Sequence, residues 1–99
     1  MLWRHGDVLI GAVATIPPDA HKKHHCILAH GEVTGHSHRI ERVGDAELFE
    51  AEGQLFLRIV SPEARVIHEE HQPITLPQGT YRVWQQREYT PHAIRRIVD

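Results

Sequence analysis

The chain has 99 residues, with 11 Lys and Arg against 13 Asp and Glu, so its formal net charge is −2 when histidine is counted as neutral. This near balance excludes a strong global field of the kind that attracts nucleic acid or an anionic membrane surface. A hydrophobic share of 40% and a charged share of 24% are typical of globular proteins, and the length predicts a single domain over residues 1–99.

Cys26 is the one cysteine of the chain, which excludes an intramolecular disulfide and favours a reducing, cytoplasmic environment. Its neighbours suit a small buried residue and a minor metal ligand equally well. The first residues lack a charged segment followed by a long apolar stretch, so no signal peptide is predicted. The longest apolar run, at residues 8–16, is too short to span a bilayer, and no membrane contact is predicted.

The first half of the chain alternates strand-forming and strand-breaking residues. Val and Ile predict a strand over residues 7–16, which Pro17-Pro18 ends. Residues 19–25 are predicted to form a polar loop. A short helix is the alternative, because Pro18 suits a first helical position and Gly31 could cap the end. Further strands are predicted at residues 26–30 and 36–42.

The second half contains the clearest hairpin signal. Residues 47–51 and 54–60 flank Glu52-Gly53, where glycine tolerates the positive φ of a tight turn. From residue 80 to 88, Tyr81 and Val83 alternate with Arg82 and Trp84 as in a half-buried strand, and both aromatic residues are predicted to lie in the core. The remaining predictions are turns at residues 61–63 and 78–79, strands at 65–70 and 74–76, and a strand or helical turn at 92–98.

These elements predict an all-β fold. Seven or eight short, mainly antiparallel strands at close spacing, with no long helix pattern, favour a small barrel or sandwich.

Two short histidine clusters, Gly35-His36-Ser37-His38 and His68-Glu69-Glu70-His71, carry the main functional signal among ten histidines. Imidazole is the commonest protein ligand of transition metals. Alternate residues of a strand share a face, so His36 and His38 are predicted to project together, about 7 Å apart. Both rings could then tilt toward one ion at about 2.0–2.1 Å.

The second cluster obeys a different geometry, because residues three apart on a strand face opposite sides. His68 and His71 serve one metal only if the strand ends near Glu70, and the following Gln72-Pro73 favours such an ending. The preferred ligands are His36, His38 and His68, with His71 as fourth ligand or as a partner that orients a ligand. Side chains predicted to orient imidazoles are Glu41, Glu69 and Glu70.

An all-imidazole site suits a divalent transition metal such as Zn, Fe, Ni or Cu, and disfavours Mg and Ca. The alternative is a structural cluster of histidines that holds no metal. No metal role is predicted for the loop histidines, because Lys22 and Lys23 oppose cation binding there; these histidines are His21, His24 and His25.

Part of the chain resembles the cupin motifs. The run from Gly31 to Glu41 is similar to their first motif, with glycine before His-x-His and a later Glu, and Leu76-Pro77-Gln78-Gly79-Thr80-Tyr81-Arg82 is similar to the second. The resemblance implies a β-barrel with a metal held by His36, His38 and Glu41. Arg82 stands where the third histidine of that family belongs, and His68 and His71 precede the Pro-x-Gly instead.

A second resemblance covers nearly the whole chain. The segments Gly-Asp-Val-Leu-Ile at 6–10, Gly-Glu-Val-Thr-Gly-His-Ser-His at 31–38, His-Glu-Glu-His at 68–71 and Gln-Arg-Glu-Tyr-Thr-Pro at 86–91 resemble a small bacterial protein family without an assigned activity. It implies a self-standing small protein and supplies no substrate, organic cofactor or catalytic residue.

Two other functions remain open. A non-enzymatic interaction module could use the aromatic and basic residues of the last third, and an oligomeric, pH-responsive scaffold could pair edge strands between copies. Nucleic acid is disfavoured, because no recognised reading motif accompanies the basic residues. Residues of the first alternative are Arg82, Trp84, Gln86, Arg87, Tyr89, Arg95 and Arg96.

Overall fold

The computed structural model describes residues 1–31, 33–89 and 94–96, with the backbone alone described for 87–89 and 94–96. Ten strands and one 3-10 turn lie in these ranges, and no α-helix does. The strands are β1 Leu2–His5, β2 Val8–Ala12, β3 His21–Lys22, β4 Ile27–His30, β5 Ser37–Ile40, β6 Ala46–Ala51, β7 Gln54–Ile67, β8 Ile74–Gln85, β9 Arg87–Tyr89 and β10 Ile94–Arg96, with the 3-10 turn at Val43–Asp45.

Strand β7 is the centre of an eight-stranded antiparallel sheet. One edge of β7 pairs with β8, and the other edge pairs first with β6 and then with β5. The strand order is β1-β2-β8-β7-β5-β4, with β6 and β3 beside the first half of β7, and this sheet is not closed. The predicted all-β fold of mainly antiparallel strands is therefore confirmed. Strands β9 and β10 form a separate pair.

The core lies on one face of this sheet. Alternate residues of the strands are buried, as in β2, where Val8 and Ile10 are both fully inaccessible to solvent. Burial of a Val, Leu or Ile side chain contributes about 1.5–3 kcal/mol, so these positions dominate the stability of the sheet. Cys26 belongs to this core, where its thiol donates to the Ala46 carbonyl oxygen at 3.5 Å and burial raises its pKa. These contacts are those of a small buried residue. Among the described residues, no helix has both the length and the apolar character needed to cross a membrane.

The predicted hairpin at Glu52-Gly53 is present. Ala51 pairs with Gln54 across the two turn residues, whose φ angles are 51° and 76°. Two positive φ angles match the twist of the flanking strands, and they favour Asn or Gly over a longer side chain such as Glu52.

We expect Glu52→Asn to increase the free energy of unfolding by about 0.5–1 kcal/mol, because asparagine tolerates the left-handed conformation better than glutamate. Urea denaturation measures the change. Glu52→Gln is the matched control, since it removes the charge and keeps the conformational cost. Equal stability of the two variants would contradict this explanation.

The N-terminal strand prediction is wrong in its bounds. Strand β2 ends at Ala12 rather than at residue 16, and strand β1 was not predicted at all. A two-residue turn of Gly6, at φ 62°, and Asp7 joins them, so His5 pairs with Val8. In the predicted loop at 19–25 the structure has the short strand β3, which pairs with β6, and the alternative helix does not form.

The predicted turns at 61–63 and 78–79 are also wrong, because both strands continue through them. The pairing of β7 with β8 shifts between Ile59 and Glu63, where β7 has more residues than its partner, and this β-bulge absorbs the excess. Pro77 is tolerated in β8 because β2 pairs with β8 only as far as Tyr81, which leaves the proline with a strand neighbour on one side.

Three further predictions differ from the structure near the chain's end. Strand β7 ends at Ile67 rather than at residue 70, and the predicted strand at 80–88 is divided between β8 and β9. Tyr81 is buried as predicted, whereas Trp84 is 36% exposed, with the Arg82 guanidinium 5.3 Å from its ring centroid. Strand β10 covers part of the segment predicted at 92–98, and the rest of that segment lies outside the described residues.

Candidate metal centre

Three parts of the fold meet at one end of the sheet: the turn between β1 and β2, strand β5, and the loop of residues 68–73 that joins β7 to β8. Because β7 ends at Ile67, the residues after it are free of strand alternation. His68 and His71 can therefore turn toward the same point. From the sequence, both histidines could bind one ion only if the strand ended early, and in the structure it does.

His38, His68 and His71 form a group of three imidazoles whose ring nitrogens are close enough to hold one metal ion. One ring nitrogen from each lies within 4.8 Å of those of the other two. The ring centroid of His68 is 4.4 Å from that of His38 and 4.6 Å from that of His71. His38 is 1% exposed and the other two are half-buried, so the group opens to solvent on one side.

His36 does not join this group. Strand β5 begins at Ser37, so His36 lies in the preceding turn and does not share the strand geometry expected for His-x-His. It belongs to a second group with His68 and Glu69, again within 4.8 Å. The trio preferred from the sequence is thus divided between two groups that share His68.

The second group is poorly suited to a cation, because its carboxylate is already committed. Glu69 accepts a hydrogen bond from the Ser37 amide at 3.0 Å, and its other oxygen lies 2.8 Å from an Arg39 nitrogen. Backbone amides of Glu69 and Ser37, together with Arg39, lower the pKa of this carboxyl to about 2. Glu69 therefore ties the 68–73 loop to β5, and a cation would have to displace Arg39.

The other predicted orienting carboxylates have different roles. Glu70 lies 2.8 Å from Nδ1 of His36, a close contact that lacks hydrogen-bond geometry. Glu41, the ligand that the cupin resemblance implies, pairs with Arg65 at 3.2 Å on the exposed side of the sheet. Of these three predicted carboxylates, Glu41 and Glu69 each pair with an arginine. Glu70 contacts an imidazole and pairs with no arginine among the described residues.

Two buried residues complete the site, and neither was predicted: His5 at the end of β1 and Asp7 in the turn that follows it. Nδ1 of His5 lies 2.9 Å from Nδ1 of His38, and Nε2 of His5 lies 3.0 Å from the Gln72 carbonyl oxygen. Asp7 places one carboxyl oxygen 3.5 Å from Nε2 of His38, and its other oxygen accepts a hydrogen bond from Gln85 at 3.1 Å. The Gly6-Asp7 dipeptide is a turn signal that could have located this hairpin.

The electrostatics of the site favour a cation. Burial, with His68 and His5 nearby, lowers the pKa of His38 to about 4, so this ring is neutral at pH 7, as a metal ligand must be. The pKa of His68 is also lowered, mainly by burial. Asp7 is 4% exposed and contacts no lysine or arginine among the side chains described. Buried carboxylates are normally paired with a cation or coordinate a metal.

Close packing fixes the position of His68. A Cβ atom on Gly31 would lie 2.9 Å from Nε2 of His68, so the close approach of the backbone just after β4 to this ring favours glycine. The Glu70 amide donates a hydrogen bond to Nδ1 of His68 at 2.9 Å. That nitrogen is therefore unprotonated, and its lone pair is already used within the loop.

The loop histidines lie apart from this centre. His21, His24 and His25 are exposed and belong to neither metal-compatible group of the described residues. His25 accepts a hydrogen bond from the Ile27 amide at 3.1 Å. Of the residues proposed for an interaction module, Arg87, Tyr89, Arg95 and Arg96 have side chains outside the described part.

Comparison with known proteins identifies a family but no characterised relative. Neither a curated protein nor a solved structure matches the chain. One family model, Domain of unknown function (DUF8820), matches residues 4–86, which include every residue of the site described above. Because this match covers most of the sequence, the chain belongs to the DUF8820 family.

Proposed function

We propose that this chain is a small metal-binding module that holds one divalent transition metal through His38, His68 and His71. The observation that carries the proposal is the approach of one ring nitrogen from each residue to within 4.8 Å of the others. Nitrogens bound to a single ion at about 2.0–2.1 Å must lie at most about twice that distance apart, so only a small adjustment is needed.

The ligand set restricts the metal. Three imidazoles suit Zn, Fe, Ni or Cu and disfavour Mg and Ca, which prefer oxygen ligands. Three protein ligands leave a position for water or another donor, on the side where His68 and His71 reach the surface. His36 flanks the centre through its contacts with His68 and Glu70, and it is not part of the proposed ligand set.

The direct test is zinc binding by protein purified without an affinity tag and stripped with a chelator. We expect about one zinc per chain by metal analysis and calorimetric titration. His68→Ala removes a ligand and should weaken binding by more than the about 10–100-fold typical of losing a residue that only orients a ligand. His24→Ala, at an exposed loop position, is the control. Absence of tight binding of Zn, Fe, Ni and Cu to the wild-type chain would refute the proposal.

Metal binding should also break one hydrogen bond of the loop. His68 accepts from the Glu70 amide through Nδ1, so its neutral ring carries the proton on Nε2. Ligation through Nε2 moves the proton to Nδ1, and ligation through Nδ1 displaces the amide. The loss costs about 1 kcal/mol, which is small beside the about 10–16 kcal/mol of structural zinc binding.

We therefore expect the Glu70 amide to shift and to exchange faster with solvent when zinc is added. Nuclear magnetic resonance of the amide measures both changes. The Glu41 amide, which donates to Arg65 within the sheet at 2.9 Å, is the internal reference and should stay unchanged. An unaltered Glu70 amide in zinc-loaded protein would show that His68 does not bind the ion.

A second candidate function is a metal-free structural cluster. It is favoured by the contacts of His5, whose ring nitrogens contact His38 and the Gln72 carbonyl oxygen directly. The zinc titration distinguishes the two candidates, because a structural cluster binds no zinc. Such a cluster stabilises the fold equally with and without added metal.

A further inference from the structure

The contacts of His5 determine which of its nitrogens carries a proton. A carbonyl oxygen can only accept a hydrogen bond, so Nε2 of His5, 3.0 Å from the Gln72 oxygen, is the donor. In a neutral ring the other nitrogen is then an acceptor. Nδ1 of His5 therefore accepts, and its partner 2.9 Å away, Nδ1 of His38, must donate.

We infer that His5 is a positioning residue that holds His38 in the Nδ1-protonated tautomer and so leaves the Nε2 lone pair of His38 available to the metal. The role toward a metal rests on the proposed function, whereas the tautomer does not. A histidine that binds metal through one nitrogen generally donates the other N–H to a fixed acceptor, which orients the ring. Here that acceptor is another histidine, which the backbone of the 68–73 loop fixes in turn.

The surroundings of the free nitrogen agree with this assignment. Nε2 of His38 faces a carboxyl oxygen of Asp7 at 3.5 Å, which is beyond hydrogen-bond length, while the two contacts of His5 are within it. With the proton of His38 on Nδ1, its Nε2 and the facing Asp7 oxygen are two donor atoms on the same side of the ring, where a metal would bind. His5 and Asp7 are 2% and 4% exposed, so bulk water does not substitute for that cation.

A competing arrangement has the same heavy-atom positions. If His5 were doubly protonated it would donate to both neighbours, and His38 would carry its proton on Nε2, directed at Asp7. His38 could then bind a metal only after losing that proton. The distances favour the first arrangement, because Nε2 of His38 and Asp7 are too far apart for a hydrogen bond.

The experiment is nitrogen-15 resonance of histidine-labelled, metal-free full-length protein near neutral pH, with His38 assigned by its loss in His38→Gln. We expect His38 to be protonated at Nδ1 and His5 at Nε2. Protonation of His38 at Nε2 overturns the inference, whether or not the protein binds zinc. The wild-type spectrum decides this point even if variants of His5 do not fold.

Two variants test the consequence for metal binding. His5→Phe keeps the ring size and removes the acceptor, so zinc affinity should fall by about 10–100-fold. His5→Asn places a carbonyl oxygen near the position of Nδ1 and should restore most of the affinity and the tautomer of His38. Unchanged affinity of folded His5→Phe overturns the positioning role. Failure of the wild-type chain to bind zinc while His38 is protonated at Nδ1 instead overturns the proposed function and the metal role of His5, and upholds the tautomer.

Discussion

Saturating zinc is expected to raise the melting temperature of the chelator-treated protein by about 15–30 °C. A ligand that binds only the native state adds about 4 kcal/mol of stability when its free concentration is a thousand times its dissociation constant. For a domain of this size each kcal/mol raises the melting temperature by about 4–8 °C. The effect should be large because the three ligands lie on separate parts of the fold, β5 and the 68–73 loop, that only folding brings together.

Differential scanning calorimetry with and without zinc measures this shift, and magnesium is the matched salt, since it prefers oxygen ligands. His68→Ala should lose most of the shift, whereas His24→Ala should keep it. A shift that persists in His68→Ala would place the ion elsewhere in the chain. If zinc far above the concentration that gives binding in the titration left the melting temperature of the wild-type protein unchanged, a zinc site in the native state would be excluded.

The metal-free protein is expected to lose about 3 kcal/mol of stability between pH 6.5 and pH 4 through His38 alone. Burial is the main cause that lowers the pKa of this ring from its ordinary 6.5 to about 4. Between these values the unfolded chain binds a proton at His38 and the native protein does not, so acid favours unfolding. The contribution is fully present above pH 6.5 and is lost as the pH falls to about 4. The lowered pKa of His68 adds a change of the same sign.

Urea denaturation at a series of pH values, in the presence of a chelator, measures this dependence. His38→Gln removes the titrating group, so its stability should change less over the same interval, whatever its stability at neutral pH. His24→Gln, at an exposed position, should reproduce the wild-type slope. Equal slopes for wild type and His38→Gln would mean that His38 is protonated in the native state at low pH without cost.

Two contacts anchor the loop that carries His68 and His71, whereas one hydrogen bond within this loop is easily broken. The 68–73 loop is tied to β5 through Glu69, which bonds Ser37 and Arg39. It is tied to β1 through the Gln72 carbonyl, which accepts from His5. These two anchors hold His68 and His71 beside His38. The hydrogen bond that the Glu70 amide donates to His68 is exposed, and breaking it costs little free energy.

Much of the strand content could be predicted from local patterns, because alternation and turn chemistry act over a few residues. Glu52-Gly53 located its hairpin, and the alternation around Tyr81 and Val83 located the buried face of β8. Proline and glycine were less reliable indicators. Residues 61–63 and 78–79 read as turns, yet a β-bulge in one strand and a free edge on the other let both strands continue.

The candidate site, like the strands, could be predicted from the sequence only in part. The amino-acid sequence by itself determined that imidazole would be plentiful, that two clusters flank β-structure, and that Pro73 would interrupt the strand after His68. Only the tertiary structure decided which histidines meet: the early end of β7 turns His71 toward His38, and the start of β5 at Ser37 leaves His36 outside. His5 and Asp7 stand alone in the sequence, more than sixty residues from the 68–73 loop, and the antiparallel pairing of β1, β2 and β8 places them beside it. Residue types alone determine which side chains can bind a metal. Whether those side chains meet depends on strand register and on where strands end, which long-range strand pairing decides.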